Sequence, residues 1–276
     1  MNSSDVAAEI ALSGRPLELL FERPGAAHFD LPAPLLANYG GGVGLPSACL
    51  FVNFVASLDG VVALPGQRES GQVISGRNAA DRFVMGLLRA CADAVLLGAG
   101  TFRKSPGHLW HPGRIYPAAT AQFAELRQSL GLRAQPRLAI VSGTGAIDVN
   151  EPALADAWIF TTDAGERKLR GKLPSSAHLT VLDSEHISPS AVLQALRNDG
   201  LLRILSEGGP TLFSELVQSG LVDELFLTSS PALFGRFADD QRKSLTDGLD
   251  LGGAELELYG VRRHGSHLFL RYGLKR

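Results

Sequence analysis

Short apolar runs alternate with amphipathic stretches along most of the chain after Leu50. Buried parallel strands read as nearly continuous apolar runs and their crossover helices as amphipathic stretches, so this pattern predicts a sheet covered by helices on both faces. The predicted strands cover residues 50–57, 93–98, 137–142, 157–162, 178–183 and 203–206. The predicted helices cover about 77–91, 119–131, 163–170, 189–198 and 210–219.

The helical spacing ends after residue 220. Residues 223–231, 254–263 and 266–275 read as strands, and a short turn at His264 and Gly265 joins the last two. Two strands joined by a tight turn pair antiparallel. The predicted fold class is therefore α/β, with a mainly parallel twisted sheet flanked by helices and a C-terminal antiparallel hairpin.

Residues 1–48 differ in composition from the rest of the chain. They contain five prolines and the glycine-rich stretch NYGGGVG at 38–44. Proline and glycine interrupt regular structure, so this segment is predicted to be an arm with one or two short helices that packs on the main body. Residues 49–276 are predicted to form the main domain.

Composition narrows the class of function. The 276 residues are 45% hydrophobic and 20% charged, enough to bury a full core. The formal net charge is -2 and no long run of Lys or Arg occurs, so the sequence does not indicate binding to nucleic acid or to a membrane surface. We identify no secretory signal and no apolar run long enough to span a bilayer. Cys49 and Cys91 are the only cysteines, which argues against a disulfide framework and fits the reducing cytoplasm.

Residues 203–216, RILSEGGPTLFSEL, predict a strand that turns through glycines directly into a helix. Pro210 suits the first turn of that helix, because this position needs no amide donor. Free backbone N–H groups at such a helix start suit a phosphate, and glycine permits close approach and positive φ. The alternative is a tight strand-to-helix connection that binds no ligand. The residues assigned to this junction are Gly208, Gly209, Pro210, Thr211 and Leu212.

Two more predicted strands end in similar junctions. The strand at 93–98 runs into Gly98, Gly100 and Thr101, and the strand at 137–142 ends in Ser142. Each glycine pair is weak evidence by itself, and the dinucleotide fingerprint of three glycines followed by a distant acid is incomplete. Parallel strands place their C-terminal ends along one edge, so the three junctions are expected to converge on a nucleotide site.

Acidic and basic side chains near these junctions are candidates for chemistry. Ser57 and Asp59 follow a buried strand, where Asp59 is either a hydrogen-bond acceptor or proton source at the crevice, or the first residue of an Asp-Gly turn. Glu207 either serves the site or stabilises the helix start that follows it. Arg89 either faces the substrate or solvates the end of its own helix. The candidate catalytic acids are therefore Asp59 and Glu207.

Other chemistries lack their sequence signatures. We find no phosphate-binding Walker loop, no Gly-x-Ser-x-Gly nucleophile and no His-Glu-x-x-His pair. His108 with His111 and His264 with His267 are each three residues apart, but no third metal ligand is evident. No metal site is expected.

Four motifs occur in order: SLDG at 57, LLRACADAVLLGAGTFR at 87, IVSG at 140 and SEGGPTLFSELVQSGLVDELFLTSSPALFG at 206. With them the chain resembles, over about residues 48–275, the reductase domain of the riboflavin-biosynthesis deaminase/reductase. The resemblance implies a dihydrofolate-reductase-like fold and NADPH-dependent reduction of a phosphoribosylaminopyrimidine, in which the ribosyl group opens to ribityl. The zinc ligands of the deaminase half are not found in this chain.

The resemblance also implies roles for individual residues. Arg89 and Glu207, with Ser57, would face the substrate. Ala56, Thr101, Ser142 and the turn and helix from Gly209 to Glu215 would line NADPH. From the junctions themselves we add Gly98, Gly100 and Gly208 to this set. The 2′-phosphate of the cofactor needs cationic or hydroxyl donors, and Thr101, Arg103, Lys104 and Ser142 are the candidates. The partners expected are the small-molecule substrate and a second copy of the chain, in a homodimer formed largely by residues after 220. The alternatives are a reductase of a pterin-like or other heterocycle, and an NADPH-binding relative without turnover.

Overall fold

The computed structural model describes residues 15–235 and 241–275. Within these ranges the strands are β1 (Glu18–Glu22), β2 (Cys49–Ser57), β3 (Val61–Ala63), β4 (Ala94–Gly98), β5 (Arg137–Val141), β6 (Trp158–Thr162), β7 (His178–Asp183), β8 (Arg203–Ser206), β9 (Glu224–Ser230), β10 (Lys243–Ser244), β11 (Leu256–His264) and β12 (His267–Leu274). The α-helices are α1 (Ala33–Tyr39), α2 (Ser70–Ile74), α3 (Ala79–Cys91), α4 (Ala99–Lys104), α5 (Pro112–Ile115), α6 (Thr120–Ser129), α7 (Asp163–Leu169), α8 (Pro189–Asn198) and α9 (Pro210–Gln218).

The described strands form one large sheet in the order β1-β11-β12-β9-β2-β8-β4-β5-β6-β7, and β3 pairs with β10 in a small separate sheet. The strands from β9 to β7 in this order are all parallel. β12, β11 and β1 then extend the sheet with antiparallel pairs. The predicted mainly parallel sheet with a C-terminal antiparallel hairpin is confirmed.

Alternate residues of the central strands enter two different cores. In β4, Val95 and Leu97 pack into one core, while Ala94 and Leu96 pack into the other. The first core contains side chains of α3 and α6, and the second contains side chains of α8 and α9. Because side chains of a strand point to opposite faces in turn, this division places helices on both faces of the sheet. Both faces of the central strands are buried, and for this reason their sequences are continuous apolar runs.

Helix α3 carries part of the site and is anchored at both ends. The Asn78 side chain accepts hydrogen bonds from the N–H groups of Ala80 and Asp81 at its start. At its end, the buried guanidinium of Arg127 donates to the carbonyls of Arg89, Ala90 and Ala92. Arg127 therefore satisfies the last carbonyls of α3, and the side chain of Arg89 on the same turn is left for other contacts.

The described part of the N-terminal segment contributes β1, a strand that the sequence did not predict. β1 pairs with β11 and covers the outer edge of the C-terminal hairpin. Its own side chains Leu19, Leu20 and Phe21 are exposed. Buried Arg262 of β11 joins this segment to the hairpin, because it donates to the carboxylate of Glu22 and to two backbone carbonyls.

Cys49 and Cys91 are both buried and free, and burial raises the pKa of each thiol to about 12. Cys91 is a core residue at the end of α3. Among the described helices, none combines the length and the apolar character that a membrane crossing requires.

Candidate active site

A cavity of about 430 Å³ opens beyond the end of β8, between its two neighbouring strands. β8 is short: its last residue, Ser206, pairs with Val52 on one side and Leu96 on the other. β2 continues past this point, so Asn53 and Phe54 line the cavity. The crevice therefore lies at the C-terminal edge of the parallel strands, where open α/β sheets bind their ligands.

Most of the predicted site residues line this one cavity. They are Arg89, Gly98, Gly100, Thr101, Glu207, Gly208, Gly209, Pro210, Thr211 and Leu212. The junctions after β4 and β8 converge, as their position at the ends of neighbouring parallel strands predicts. The remaining predicted residues do not line it: these are Ala56, Ser57, Asp59, Arg103 and Ser142.

Arg89 and Glu207 form an ion pair at the wall of the cavity. Nε and Nη2 of Arg89 donate to the two carboxylate oxygens of Glu207, each at 2.7 Å. The side chains are only 2% and 10% exposed, respectively. A bidentate pair of this kind is strong, and it fixes the orientation of both planar groups. Arg89 is therefore turned into the site and does not solvate the end of its helix.

His108 completes this group of side chains. Its Nε2 lies 3.1 Å from Nη1 of Arg89, and its ring packs edge-on against Trp110. Burial, and next the positive charge of Arg89, lower the pKa of His108 to about 4. The ring is therefore neutral at neutral pH, and its Nε2 accepts the hydrogen bond from the guanidinium.

The glycines of the β8–α9 junction are required for space and not for backbone conformation. Gly209, the residue before α9, has φ of −73°, and neither it nor Gly208 is among the described positive-φ residues. The expectation of positive φ at Gly209 is therefore wrong. A Cβ on Gly208 would lie 2.6 Å from Leu212 Cδ2, and one on Gly209 would lie 3.4 Å from Thr101 Oγ1. Gly208 therefore leaves space for the Leu212 side chain, and Gly209 lies at contact distance from the β4 junction.

A lysine from a distant segment reaches the start of α9. Lys243 of β10 lines the cavity, and its ammonium group donates to Asp247 at 2.6 Å and to the Thr211 hydroxyl at 3.4 Å. The pairing of β10 with β3 holds this segment beside the site. Lys243 was not predicted as a site residue, because a strand of two residues leaves no periodic pattern in the sequence.

Ser57 and Asp59 hold the turn after β2. The Ser57 hydroxyl donates to Asp59 and accepts the N–H of Val61, while Asp59 Oδ2 accepts the N–H groups of Phe234 and Gly235. These hydrogen bonds lower the pKa of Asp59, and the hydrogen bond from Ser57 has the largest effect. Gly60 has φ of 79°, so the predicted Asp-Gly turn is confirmed.

Ser142 and Arg103 lie around the β5 end of the same sheet edge. Ser142 is buried, and its hydroxyl has no hydrogen-bond partner within the described residues. Arg103 is exposed, donates to the carbonyl of Ala146, and lines a second, separate hollow. Its neighbour Lys104 lines the main cavity instead.

Asp81 is a cavity residue that the sequence analysis did not select. It lies in the first turn of α3, is buried, and hydrogen bonds with the hydroxyls of Ser75 and Thr228. Burial raises the pKa of its carboxyl to about 6. The hydrogen bonds from the two hydroxyls and the charge of Arg82 lower this pKa, but their effects are smaller. An Asp at a helix start is common on surfaces, so only the three-dimensional position of Asp81 distinguishes it.

The cavity wall carries more cations than anions. Five of its residues are basic, namely Arg77, Arg82, Arg89, Lys104 and Lys243, against the three acids Glu69, Asp81 and Glu207. Arg89 is paired with Glu207 and Lys243 with Asp247, so attraction of an anionic, phosphorylated molecule would rest mainly on Arg77, Arg82 and Lys104. Within residues 15–235 and 241–275, no three His, Cys, Asp or Glu side chains are grouped so as to hold a metal ion.

Solved structures share this fold. A pyrimidine reductase-like protein from Corynebacterium diphtheriae superposes with a TM-score of 0.68 at 21% identity, covering 88% of this chain and 98% of that one. RibD from Acinetobacter baumannii gives a TM-score of 0.64 at 18% identity, covering 84% of this chain and 59% of that one. At these identities the likeness concerns the fold.

Curated sequences extend the likeness. A 2,5-diamino-6-ribosylamino-4(3H)-pyrimidinone 5′-phosphate reductase from Archaeoglobus fulgidus is 29% identical over 190 residues, which is 67% of this chain and 81% of the relative. The riboflavin biosynthesis protein RibD of Bacillus amyloliquefaciens is 25% identical over 194 residues, 70% of this chain and 47% of that longer protein. The family model of the RibD C-terminal domain matches residues 48–270. The chain therefore belongs to the RibD C-terminal domain family.

Proposed function

We propose that this protein is an NADPH-dependent reductase that converts the ribosyl group of a phosphoribosylaminopyrimidine into a ribityl group. The family, and the printed activity of the relative from Archaeoglobus fulgidus, support this reaction. The observation that carries the proposal is the buried ion pair of Arg89 and Glu207, which stands in the same cavity as the β4 and β8 junctions. The ion pair would face the substrate while the junctions hold the cofactor.

The residues of the two junctions fit a dinucleotide. Helix α9 is nine residues long and begins at the cavity, so its first N–H groups and its dipole favour a pyrophosphate there. A Cβ on Gly100 would meet nothing within 4 Å, so the backbone there is open to a close ligand. The unsatisfied buried hydroxyl of Ser142 offers one further polar group at this sheet edge. When bound, the cofactor supplies the hydride.

The phosphate of the cofactor ribose distinguishes NADPH from NADH. Lys104 at the cavity and Arg103 beside it lie on the last turn of α4, three and two positions after Thr101. A 2′-phosphate near this turn would gain one or two charge-assisted hydrogen bonds that a hydroxyl cannot make. We therefore assign the NADPH preference to this turn, with Thr101 and Ser142 as neutral contacts.

The side chains on the substrate side orient and do not react covalently. Arg89, held flat by Glu207 and His108, presents a fixed charge to the substrate. The excess of basic groups on the wall provides for the substrate phosphate. Ser57 and Asp59 have a different task in this proposal, since their hydrogen bonds hold the turn after β2 and the loop at Phe234 and Gly235.

We also propose that the protein works in the cytoplasm as a homodimer formed largely by residues after 220. Within the described residues β1 lies at the end of the sheet beside β11, and its exposed side chains Leu19, Leu20 and Phe21 would join the residues after 220 in the interface. Light scattering at micromolar concentration is expected to give twice the mass of the chain. A monomer would overturn the dimer.

The reaction itself is tested with purified protein, NADPH and chemically prepared 2,5-diamino-6-ribosylamino-4(3H)-pyrimidinone 5′-phosphate. Loss of the near-ultraviolet absorbance of reduced nicotinamide, dependent on both protein and substrate, is the expected result. Tight NADPH binding without oxidation would favour a binding protein, and oxidation only with a different heterocycle would replace the substrate.

A further inference from the structure

The proposed reaction needs a proton as well as a hydride, because the ring oxygen of the ribosyl group becomes a hydroxyl when the sugar opens. The acids selected from the sequence are poorly placed to supply it. Both oxygens of Glu207 accept hydrogen bonds from Arg89, and Asp59 is outside the cavity with a lowered pKa. His108 is neutral at neutral pH. The donor must be sought elsewhere on the cavity wall.

Asp81 has the position that a proton donor requires. Its side chain lines the cavity although the residue is only 5% exposed. The hydroxyls of Ser75, before α3, and Thr228, on β9, hydrogen bond with its carboxyl and hold it between two elements. A buried carboxyl that faces a ligand cavity, with its orientation fixed by neighbours, is the usual arrangement of a general acid.

Helix α3 relates Asp81 to the ion pair. Asp81, Met85 and Arg89 follow one another at intervals of four residues, and all three line the cavity. Eight residues of α-helix correspond to about 12 Å along the axis. One face of α3 therefore forms a continuous wall, with Asp81 toward one end and the charged group of Arg89 toward the other. Asp81 and Arg89 thus stand about two helical turns apart on the same wall, with Met85 between them.

The surroundings of Asp81 keep its carboxyl protonated to a higher pH than that of an ordinary aspartate. Burial raises the pKa of the carboxyl to about 6, while hydrogen bonds from Thr228 and Ser75 and the charge of Arg82 act in the opposite direction. Glu207, across the cavity, raises it further. Arg77 and Arg89 stand on the same wall, and His267 of β12 contacts Asn78 and the carbonyl of Ser75 behind it. A ligand that excludes water strengthens the effect of burial.

We infer that Asp81 is the general acid of this site, an inference that rests on the proposed function. In the balanced step the C1′–O4′ bond of the ribosyl group breaks, O4′ takes the proton of the Asp81 carboxyl, and C1′ receives the hydride from NADPH. The carboxylate then regains a proton from solvent. One NADPH and one proton are consumed, and no further reactant is needed.

The experiment compares the wild-type protein with Asp81→Asn, Asp81→Glu and the control Asp30→Asn, which makes the same change on an exposed residue. Asparagine keeps the size and hydrogen bonds of the side chain but has no acidic proton. For Asp81→Asn we expect kcat to fall at least about 100-fold while the Kd of NADPH, measured by titration without substrate, stays within about threefold. Asp81→Glu restores a part of the rate, and Asp30→Asn leaves both values unchanged.

The pH dependence separates an acid from a merely structural residue. The substrate phosphate titrates in every variant, so the ratio of wild-type to Asp81→Asn kcat/KM isolates the carboxyl. This ratio is expected to fall as pH rises through about 6. Carbon-13 NMR of aspartate-labelled protein provides a readout without turnover, in which one carboxyl titrates near this pH and is missing from Asp81→Asn.

The outcomes are distinct. Suppose that the wild-type protein is active and that Asp81→Asn keeps more than one third of the wild-type kcat, or that the ratio of wild-type to Asp81→Asn kcat/KM does not change with pH. Either result overturns the inference and leaves the proposed function intact. A folded wild-type protein that does not oxidise NADPH with the pyrimidine substrate overturns both. If Asp81→Asn does not fold, the kinetics of Asp81→Glu and the NMR titration of the wild-type protein replace it. The assignment is contradicted if every aspartate carboxyl of the wild-type protein titrates at an ordinary pKa.

Discussion

Arg89 and Glu207 are 118 positions apart in the chain and meet through two hydrogen bonds of 2.7 Å. Helix α3 brings the guanidinium to the cavity, and the end of the short strand β8 brings the carboxylate. The acid in the Ser-Glu-Gly-Gly-Pro junction thus neutralises a buried cation, while we propose that the glycines after it admit the cofactor. The two halves of this junction have separate tasks, which separate substitutions can test.

Replacement of the acid tests the substrate half. Glu207→Gln keeps one acceptor for Arg89 but removes the charge, so we expect kcat to fall about tenfold or more and the Kd of NADPH to stay within about threefold. Breaking a buried pair also leaves an uncompensated cation, so a loss of stability of up to about 3–5 kcal/mol is expected. Steady-state kinetics, NADPH titration and urea unfolding measure the three effects. Loss of NADPH binding with normal turnover at saturation would reverse the assignment of this half.

Replacement of a glycine tests the cofactor half. Gly209→Val places a branched side chain against Thr101, where a Cβ would lie 3.4 Å from the hydroxyl oxygen. We expect NADPH affinity to fall at least about tenfold because the backbone no longer meets the pyrophosphate closely. The control is Ser219→Val, which adds the same side chain at the exposed end of α9. Equal NADPH affinity in both variants would mean that the junction is an ordinary strand-to-helix connection.

The fold followed from the sequence where periodicity was strong. Each predicted strand has a counterpart, because parallel strands buried on both faces require long apolar runs. β1 and the pair β3 and β10 were not predicted: β1 has exposed apolar side chains without alternation, and β10 is two residues long. Such strands depend on a partner edge that only the folded chain supplies.

The site was predictable where a local motif marked it. The junctions at Gly98 and Glu207 carry glycines next to strand ends, and topology alone brings them together. Asp81 and Lys243 carry no such mark, since one is an ordinary first-turn acid and the other belongs to a strand of only two residues. Asp59 is the opposite case: a local motif marked it as a candidate catalytic acid, but its side chain holds the Asp-Gly turn.

The cofactor preference provides a third prediction. We expect NADPH to bind at least about tenfold more tightly than NADH, about 1.4 kcal/mol, from one or two charge-assisted contacts. Lys104→Gln is expected to reduce this ratio, whereas Lys172→Gln, on an exposed loop, leaves it unchanged. Fluorescence titration with both nucleotides measures the ratio. Equal affinities in the wild-type protein would contradict the assignment of the α4 turn.

The buried carboxyl also makes stability depend on pH. The folded pKa of Asp81, about 6, is above the ordinary 3.8, so its contribution to stability is full below pH 3.8 and is lost as pH rises through 6. Relative to wild type, Asp81→Asn is therefore expected to gain up to about 3 kcal/mol of unfolding free energy across this window and nothing further above it. Urea unfolding at several pH values measures the difference. If the difference in unfolding free energy between Asp81→Asn and wild type does not change with pH, the pKa of the Asp81 carboxyl is not raised by folding.

Transfer of a deuterium label tests the central claim most directly. NADPH deuterated on both C4 positions is incubated with the protein and 2,5-diamino-6-ribosylamino-4(3H)-pyrimidinone 5′-phosphate, and the product is examined by mass spectrometry and NMR. The proposed reaction gives a ribityl product with one deuterium on C1′, formed in proportion to the NADPH oxidised. A recovered ribosyl substrate without deuterium, in the presence of folded protein and bound NADPH, would contradict it.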